Sequence, residues 1–197
     1  MKHAVLFLHG WGFDASFWEP LVGVLEAPEV VVWDRGYFGE ERMEGVPGRP
    51  YLAVGHSAGV MGLLGRDLPG CVGVVSVNGF GRFVQGEDFP EGMPARVLMR
   101  MRARLEGAPE RVVREFRAMC GAEGALPGVP DVARLAAGLG VLLEEDWRGR
   151  ACVGWLAGAD DPLGPARRVE CVSGGHLLPV ERPDVCAAFL RRVSAAL

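Results

Sequence analysis

Residues 51–59, YLAVGHSAG, constrain the chain more than any other stretch. The apolar run Tyr51-Leu52-Ala53-Val54 reads as a short buried strand, and the VMGLLGRDL after Gly59 is compatible with a helix. Between them lies Gly55-His56-Ser57-Ala58-Gly59, a G-x-S-x-G at a strand-to-helix turn. The tightness of such a turn explains the spacing. A side chain two residues before or after the serine would meet the crossing backbone, and glycine at both places removes the clash. The turn presents the Ser57 hydroxyl at the start of a helix, where free N–H groups and the positive end of the helix dipole favour a developing oxyanion. With 29 glycines in the chain, the motif alone is cheap; the flanking strand and helix make Ser57 a candidate nucleophile. The plain alternative is an ordinary glycine-bearing turn.

The rest of the chain alternates strand and helix around this turn. Residues 3–8 (HAVLFL) form the continuous apolar run of a central parallel strand and lead into His9-Gly10-Trp11-Gly12. A helix is expected over 16–27 and a strand over 29–33, ending at Asp34 in a glycine-bearing loop. Residues 40–50 are polar and carry Pro47 and Pro50, which leaves little room for a crossover helix. The helix after Ser57 is expected to reach about residue 68, and 71–77 is again β-rich. From 80 to 150 there is no convincing strand; helices are expected over 94–106, 109–120 and 131–145, the first two with proline at or near their start. Strand texture returns in 151–156 and 168–172, and 181–197 reads as an amphipathic helix. The pattern predicts an α/β fold with a mostly parallel central sheet flanked by helices. Residues 1–79 and 151–197 would form its core, and 80–150 an inserted helical lid.

Composition excludes several function classes. A length of 197 residues suits one domain, and a net charge of −4 gives no reason to expect nucleic acid or an anionic membrane as partner. No apolar run approaches a membrane span, and the chain enters its first strand without a separate leader. The five cysteines are odd in number and widely spaced, three of them in apolar strand-like runs, with no C-x-x-C or His/Cys cluster to suggest a metal. A soluble protein of the reducing cytoplasm is the expectation.

A serine nucleophile needs a base within hydrogen-bond reach and an acid to orient that base. Of the four histidines, His3 lies at a strand start, and the His56 side chain should point away from its neighbour Ser57. His176 follows Gly174-Gly175 after the last strand, where the loop can fold back over the strand ends, and is the candidate base. The acid should follow the penultimate strand, where Asp160 and Asp161 stand side by side. Adjacent residues face different directions, so at most one should reach His176. The oxyanion would be held by the N–H of Ala58 and that of Trp11, whose ring would also wall the acyl pocket.

Taken together, HGWG after the first strand, GHSAG, GADDPLGP and GGH resemble the α/β-hydrolase superfamily in content and order. That family's G-x-x-D-x-x-x-P pattern, here Gly158 to Pro165, selects Asp161 as the acid. Within the superfamily, GWGFD at 10–14, SVNG at 76–79, EGMP at 91–94 and RVVREFRAMCG at 111–121 resemble the compact pimeloyl-[acyl-carrier-protein] methyl ester esterases of biotin synthesis. The resemblance implies an acyl-enzyme ester hydrolysis by Ser57, His176 and Asp161, with no metal or organic cofactor. It places substrate contacts on Trp11, Phe116, Arg117, Ala118, Met119 and Cys120; a monomer or weak dimer is the expectation. Residues 94–118 hold seven arginines against Glu106, Glu110 and Glu115, an excess that would suit an acidic acyl carrier protein at Arg100, Arg104, Arg111 and Arg114. An ordinary solvated helix face is the alternative for those arginines, and a general short-chain carboxylesterase or thioesterase is the alternative activity. The chain departs from larger relatives after the second strand and between Asp161 and His176, where a helix is expected to be missing.

Overall fold

A computed structural model of the chain describes residues 1–164 and 170–197. Strand β1 (Ala4–Leu8) sends Val5 and Phe7 into one apolar cluster and Ala4, Leu6 and Leu8 into another. All five are fully buried, as a strand covered on both faces must be. It lies inside a six-stranded parallel sheet with β2 (Val30–Trp33), β3 (Tyr51–His56), β4 (Cys71–Val77), β5 (Gly154–Gly158) and β6 (Glu170–Val172), ordered β2-β1-β3-β4-β5-β6. The order reverses at β1, which places a crevice at the carboxyl ends of β1 and β3, where open α/β sheets bind ligands.

The helices are shorter than the sequence pattern suggests, for local reasons. In place of a helix over 16–27 there is a 3-10 turn, Ala15–Trp18, and a single-turn α1 (Glu19–Val22) capped by Gly23. Helix α2 (Ala58–Leu64) stops at Gly65 and does not reach residue 68. Helices α3 (Ala95–Leu105), α4 (Pro109–Met119) and α5 (Val132–Glu144) fall where expected. The terminal helix is split into α6 (Leu178–Glu181) and α7 (Pro183–Ala196). Arg182 sits between them outside the helical region (φ −136°, ψ 56°), as a residue before proline tends to.

Strand β5 lies nearer the carboxyl terminus than residues 151–156. Its end passes so close to the His176 loop that a Cβ on Gly158 would lie 2.2 Å from the Gly175 carbonyl oxygen. Residues 34–50 contain no helix and are pinned by an isolated bridge, Asp34 to Arg42. Between Asp161 and His176, the described residues contain β6 and no helix. Pro165 and the first two residues of the expected strand 168–172 lie outside the described residues. Helices α3 to α5 bury Leu98, Leu105, Phe116, Leu135 and Leu139 in the same cluster as Phe7, Trp11 and Phe13. No helix among the described residues is long and apolar enough to cross a membrane.

Candidate active site

The turn at Ser57 is as tight as its glycines suggest. A Cβ on Gly55 would lie 2.6 Å from the Val60 backbone, and one on Gly59 would lie 2.2 Å from the Leu8 carbonyl oxygen. Ser57 itself takes φ 52° and ψ −127°, a conformation that costs an L-residue of order 1–3 kcal/mol and persists only where the surroundings enforce it. Gly10, at the end of β1, completes the enclosure: a side chain there would come within 2.8 Å of Ser57 Cβ.

The two remaining strand ends bring His176 and Asp161 together. His176 Nδ1 lies 2.9 and 3.0 Å from the two oxygens of Asp161, while Asp160 is exposed to solvent. A carboxylate accepts, so Nδ1 carries the proton and Nε2 is left with its lone pair. Nε2 is buried with no hydrogen-bond partner among the described residues. Among the described hydrogen bonds there is none between Ser57 and His176; in catalytic sites that bond often tightens only when substrate binds. Ser57 is 3% exposed, Asp161 7% and His176 0%, so charge developing among them would be poorly screened.

Two residues that the sequence did not single out hold this pair. Asn78, at the end of β4 with φ 50°, donates through Nδ2 to Asp161 Oδ2 (2.7 Å) and to the Gly175 carbonyl (3.2 Å). His56 Nε2 lies 2.9 Å from the His176 carbonyl oxygen, to which it donates. Burial, with His176 nearby, pushes the His56 pKa well below its ordinary value, so the ring is neutral. The SVNG stretch hinted at Asn78, but nothing in it revealed the contact.

The loop after β1 is held from three sides. Trp11 Nε1 donates to the Leu135 carbonyl of α5 (2.9 Å), and its ring meets Phe116 of α4 edge-on at 4.9 Å. Asp34 accepts from the Ala15 and Gly36 N–H groups at 2.8 Å and touches His9. Burial opposes its charge, yet these contacts hold its pKa down to about 2. Arg117 reaches over from α4, donating to the Gly12 carbonyl (3.1 Å) and lying 4.8 Å from the Phe13 ring centre. The N–H groups of Trp11 and Ala58 have no backbone partner among the described residues.

The remaining sequence candidates divide. Trp11, Ser57, Phe116 and Met119 line one apolar cavity, whereas Ala118 is exposed and Arg117 and Cys120 are outside its lining. Arg104 and Arg111 both pair with Glu115 at 2.8 Å, and Arg114 lies 3.8 Å from Glu110. Arg100 is exposed, with no ion pair among the described residues. The lid face is therefore less positive than its arginine count suggests.

Solved structures share this architecture. An esterase from Exiguobacterium antarcticum superposes with a TM-score of 0.80 at 14% identity, over 98% of this chain and 92% of that one. The fold is that of the α/β-hydrolases. A thermophilic esterase from Thermogutta terrifontis matches with a TM-score of 0.65 at 19% identity, over 98% and 90% of the two chains. BioG from Haemophilus influenzae matches with a TM-score of 0.60 at 19% identity, over 90% of each. No protein-family model and no curated protein sequence matches the chain. At these identities the likeness establishes the α/β-hydrolase fold, and the chemistry must be argued from the site.

Proposed function

We propose that the protein is a serine carboxylic ester hydrolase of the cytoplasm, most specifically a demethylase of pimeloyl-[acyl-carrier protein] methyl ester. The hydrolase reading is carried by the buried His176–Asp161 pair, taken with a serine held at positive φ in a glycine-walled turn. In this reading Ser57 Oγ attacks the ester carbonyl as His176 Nε2 takes its proton, and the Trp11 and Ala58 N–H groups receive the oxyanion. Asp161 keeps His176 in the Nδ1–H tautomer and stabilises the imidazolium. His176 then protonates the departing alkoxide, and water, deprotonated by His176, releases the acid from Ser57.

The biotin reading rests on the GWG, SVNG and lid-helix resemblance and on the arginines of α3 and α4. Exposed ion pairs are weak, about 0–1 kcal/mol, so Arg104, Arg111 and Arg114 can exchange their glutamates for carboxylates of a carrier. Those same pairs favour a second reading, a general short-chain carboxylesterase or thioesterase with no carrier. Purified protein should be assayed on the carrier-bound methyl ester and on p-nitrophenyl butyrate, with Ser57→Ala as control. The biotin reading expects Arg111→Glu with Arg114→Glu to depress only the carrier-bound reaction. Turnover of the small ester alone, indifferent to the charge reversal, selects the second reading. Failure of a fluorophosphonate to label Ser57 would remove both.

A further inference from the structure

The cavity faced by Ser57 cannot hold an ester. Its volume is about 20 Å³, and a single water needs roughly 10–15 Å³. Against it lies a second, open cleft of about 530 Å³, within the roughly 300–1,000 Å³ of small-molecule sites. Phe80, Phe83, Met93 and Leu163 line both, so these four side chains are the partition between them. Three belong to the connection from β4 to α3. Leu163 belongs to the acid loop, where its N–H donates to Asp161 Oδ1 (2.9 Å).

The partition is built to yield. Met93 and Leu163 are only half-buried, and an unbranched thioether adapts to new neighbours at little cost. The cleft beyond has aromatic walls in Phe89 and Trp155 and a self-neutralised rim. Arg82 pairs with Asp88 and Asp146 at 3.0 and 3.1 Å, and Arg148 pairs with the same two carboxylates at 2.6 Å each. Glu91 adds a further carboxylate, so among the described residues the lining carries no surplus positive charge. On its other side the Ser57 cavity is lined by Val97 and Met101 of α3 and Met119 of α4, with Val97 39% and Met119 47% exposed. An ester has two arms, and the cavity has two sides on which to place them.

We infer that the cleft behind Phe83, Met93 and Leu163 receives one arm of the substrate, an uncharged apolar chain, once that wall moves aside. The inference rests on the hydrolase reading of Ser57 and is independent of the carrier protein.

Two ester series separate the arms: p-nitrophenyl acetate to decanoate lengthens the acyl side, and methyl to octyl butyrate lengthens the alcohol side. Met93→Ala and Leu163→Ala should raise the long-to-short ratio of kcat/KM in one series by about tenfold, the lower end of what a single methylene gained or lost in a pocket is worth. Glu91→Trp, which fills the cleft, should lower it. Ratios unchanged in both series overturn the inference. A titration of Ser57→Ala protein with 1-octanol reads the cleft without turnover, through fluorescence of Trp155. If no ester is hydrolysed, the hydrolase reading fails and this titration decides: a saturable quench lost in Trp155→Phe supports the cleft, and no quench overturns it.

Discussion

Asn78 Nδ2 stands 2.7 Å from Asp161 Oδ2 and 3.2 Å from the Gly175 carbonyl, so one amide ties the acid to the loop that carries His176. A hydrogen bond to a buried carboxylate is worth about 1.5–3 kcal/mol. Asn78→Ala should therefore lower kcat by about ten- to a hundredfold with KM little changed. Steady-state kinetics check the split between kcat and KM, which simple loss of packing would not produce.

Ser57 holds its strained backbone for chemistry, not for stability. Ser57→Gly removes the positive-φ cost at φ 52°. Denaturant unfolding should show the variant more stable by about 1–2 kcal/mol, the usual scale of such strain. Its activity and its fluorophosphonate labelling should vanish together. A variant less stable than the parent would mean that the turn is relaxed.

What the sequence revealed and what it concealed follow from how far apart the partners stand in the chain. Gly55 was readable because its clash is local, with Val60 five residues on, whereas Gly59 meets the distant Leu8 carbonyl and was readable only through the motif. The loop after β1, the acid loop and His176 could be placed because strand ends converge in a parallel sheet whatever the loops do; the choice of Asp161 over Asp160 came from the resemblance. Asn78 was hidden because its partner lies 83 positions away and nothing in Asn78-Gly79 encodes that distance. Arg117 misled for a similar reason: it counted toward a surface charge, yet it turns inward onto Gly12. The partition shared by the two cavities could not be read at all, since apolar residues at 80, 83, 93 and 163 look like ordinary core.

Acid should weaken the fold in two windows. Burial lowers the His56 pKa well below 6.5, so at acid pH the unfolded chain takes a proton that the folded one refuses. His56 therefore contributes fully above pH 6.5, and stability falls below it by up to ~1.4 kcal/mol per pH unit. Asp34 acts lower: its depressed pKa supports the fold above 3.8, and that support drains away as pH falls toward about 2. Urea midpoints measured from pH 8 to 5 should decline in the parent. His56→Gln keeps a donor for the His176 carbonyl without titrating, so it should flatten the decline between pH 6.5 and 5. An equal slope in both proteins would assign the acid sensitivity elsewhere.

Arg117 straps the lid to the loop that offers the Trp11 N–H. Its guanidinium donates to Gly12 O at 3.1 Å and lies 4.8 Å from the Phe13 ring centre. Partial burial lowers its pKa from the ordinary arginine value, which marks a contact shielded from water. Lysine offers the charge without the planar face that stacks on a ring while donating from its edge. Arg117→Ala should cost about 1–2 kcal/mol of stability, one charge-assisted hydrogen bond plus a cation–π contact less what water restores. Arg117→Lys should recover less than half of that. A strap also predicts a local effect: limited proteolysis should cut first between α4 and α5 in the alanine variant, at the exposed residues 123–125, before the sheet opens. Cleavage spread evenly along the chain would mean that Arg117 contributes only to global stability and leaves the lid as firmly seated as before.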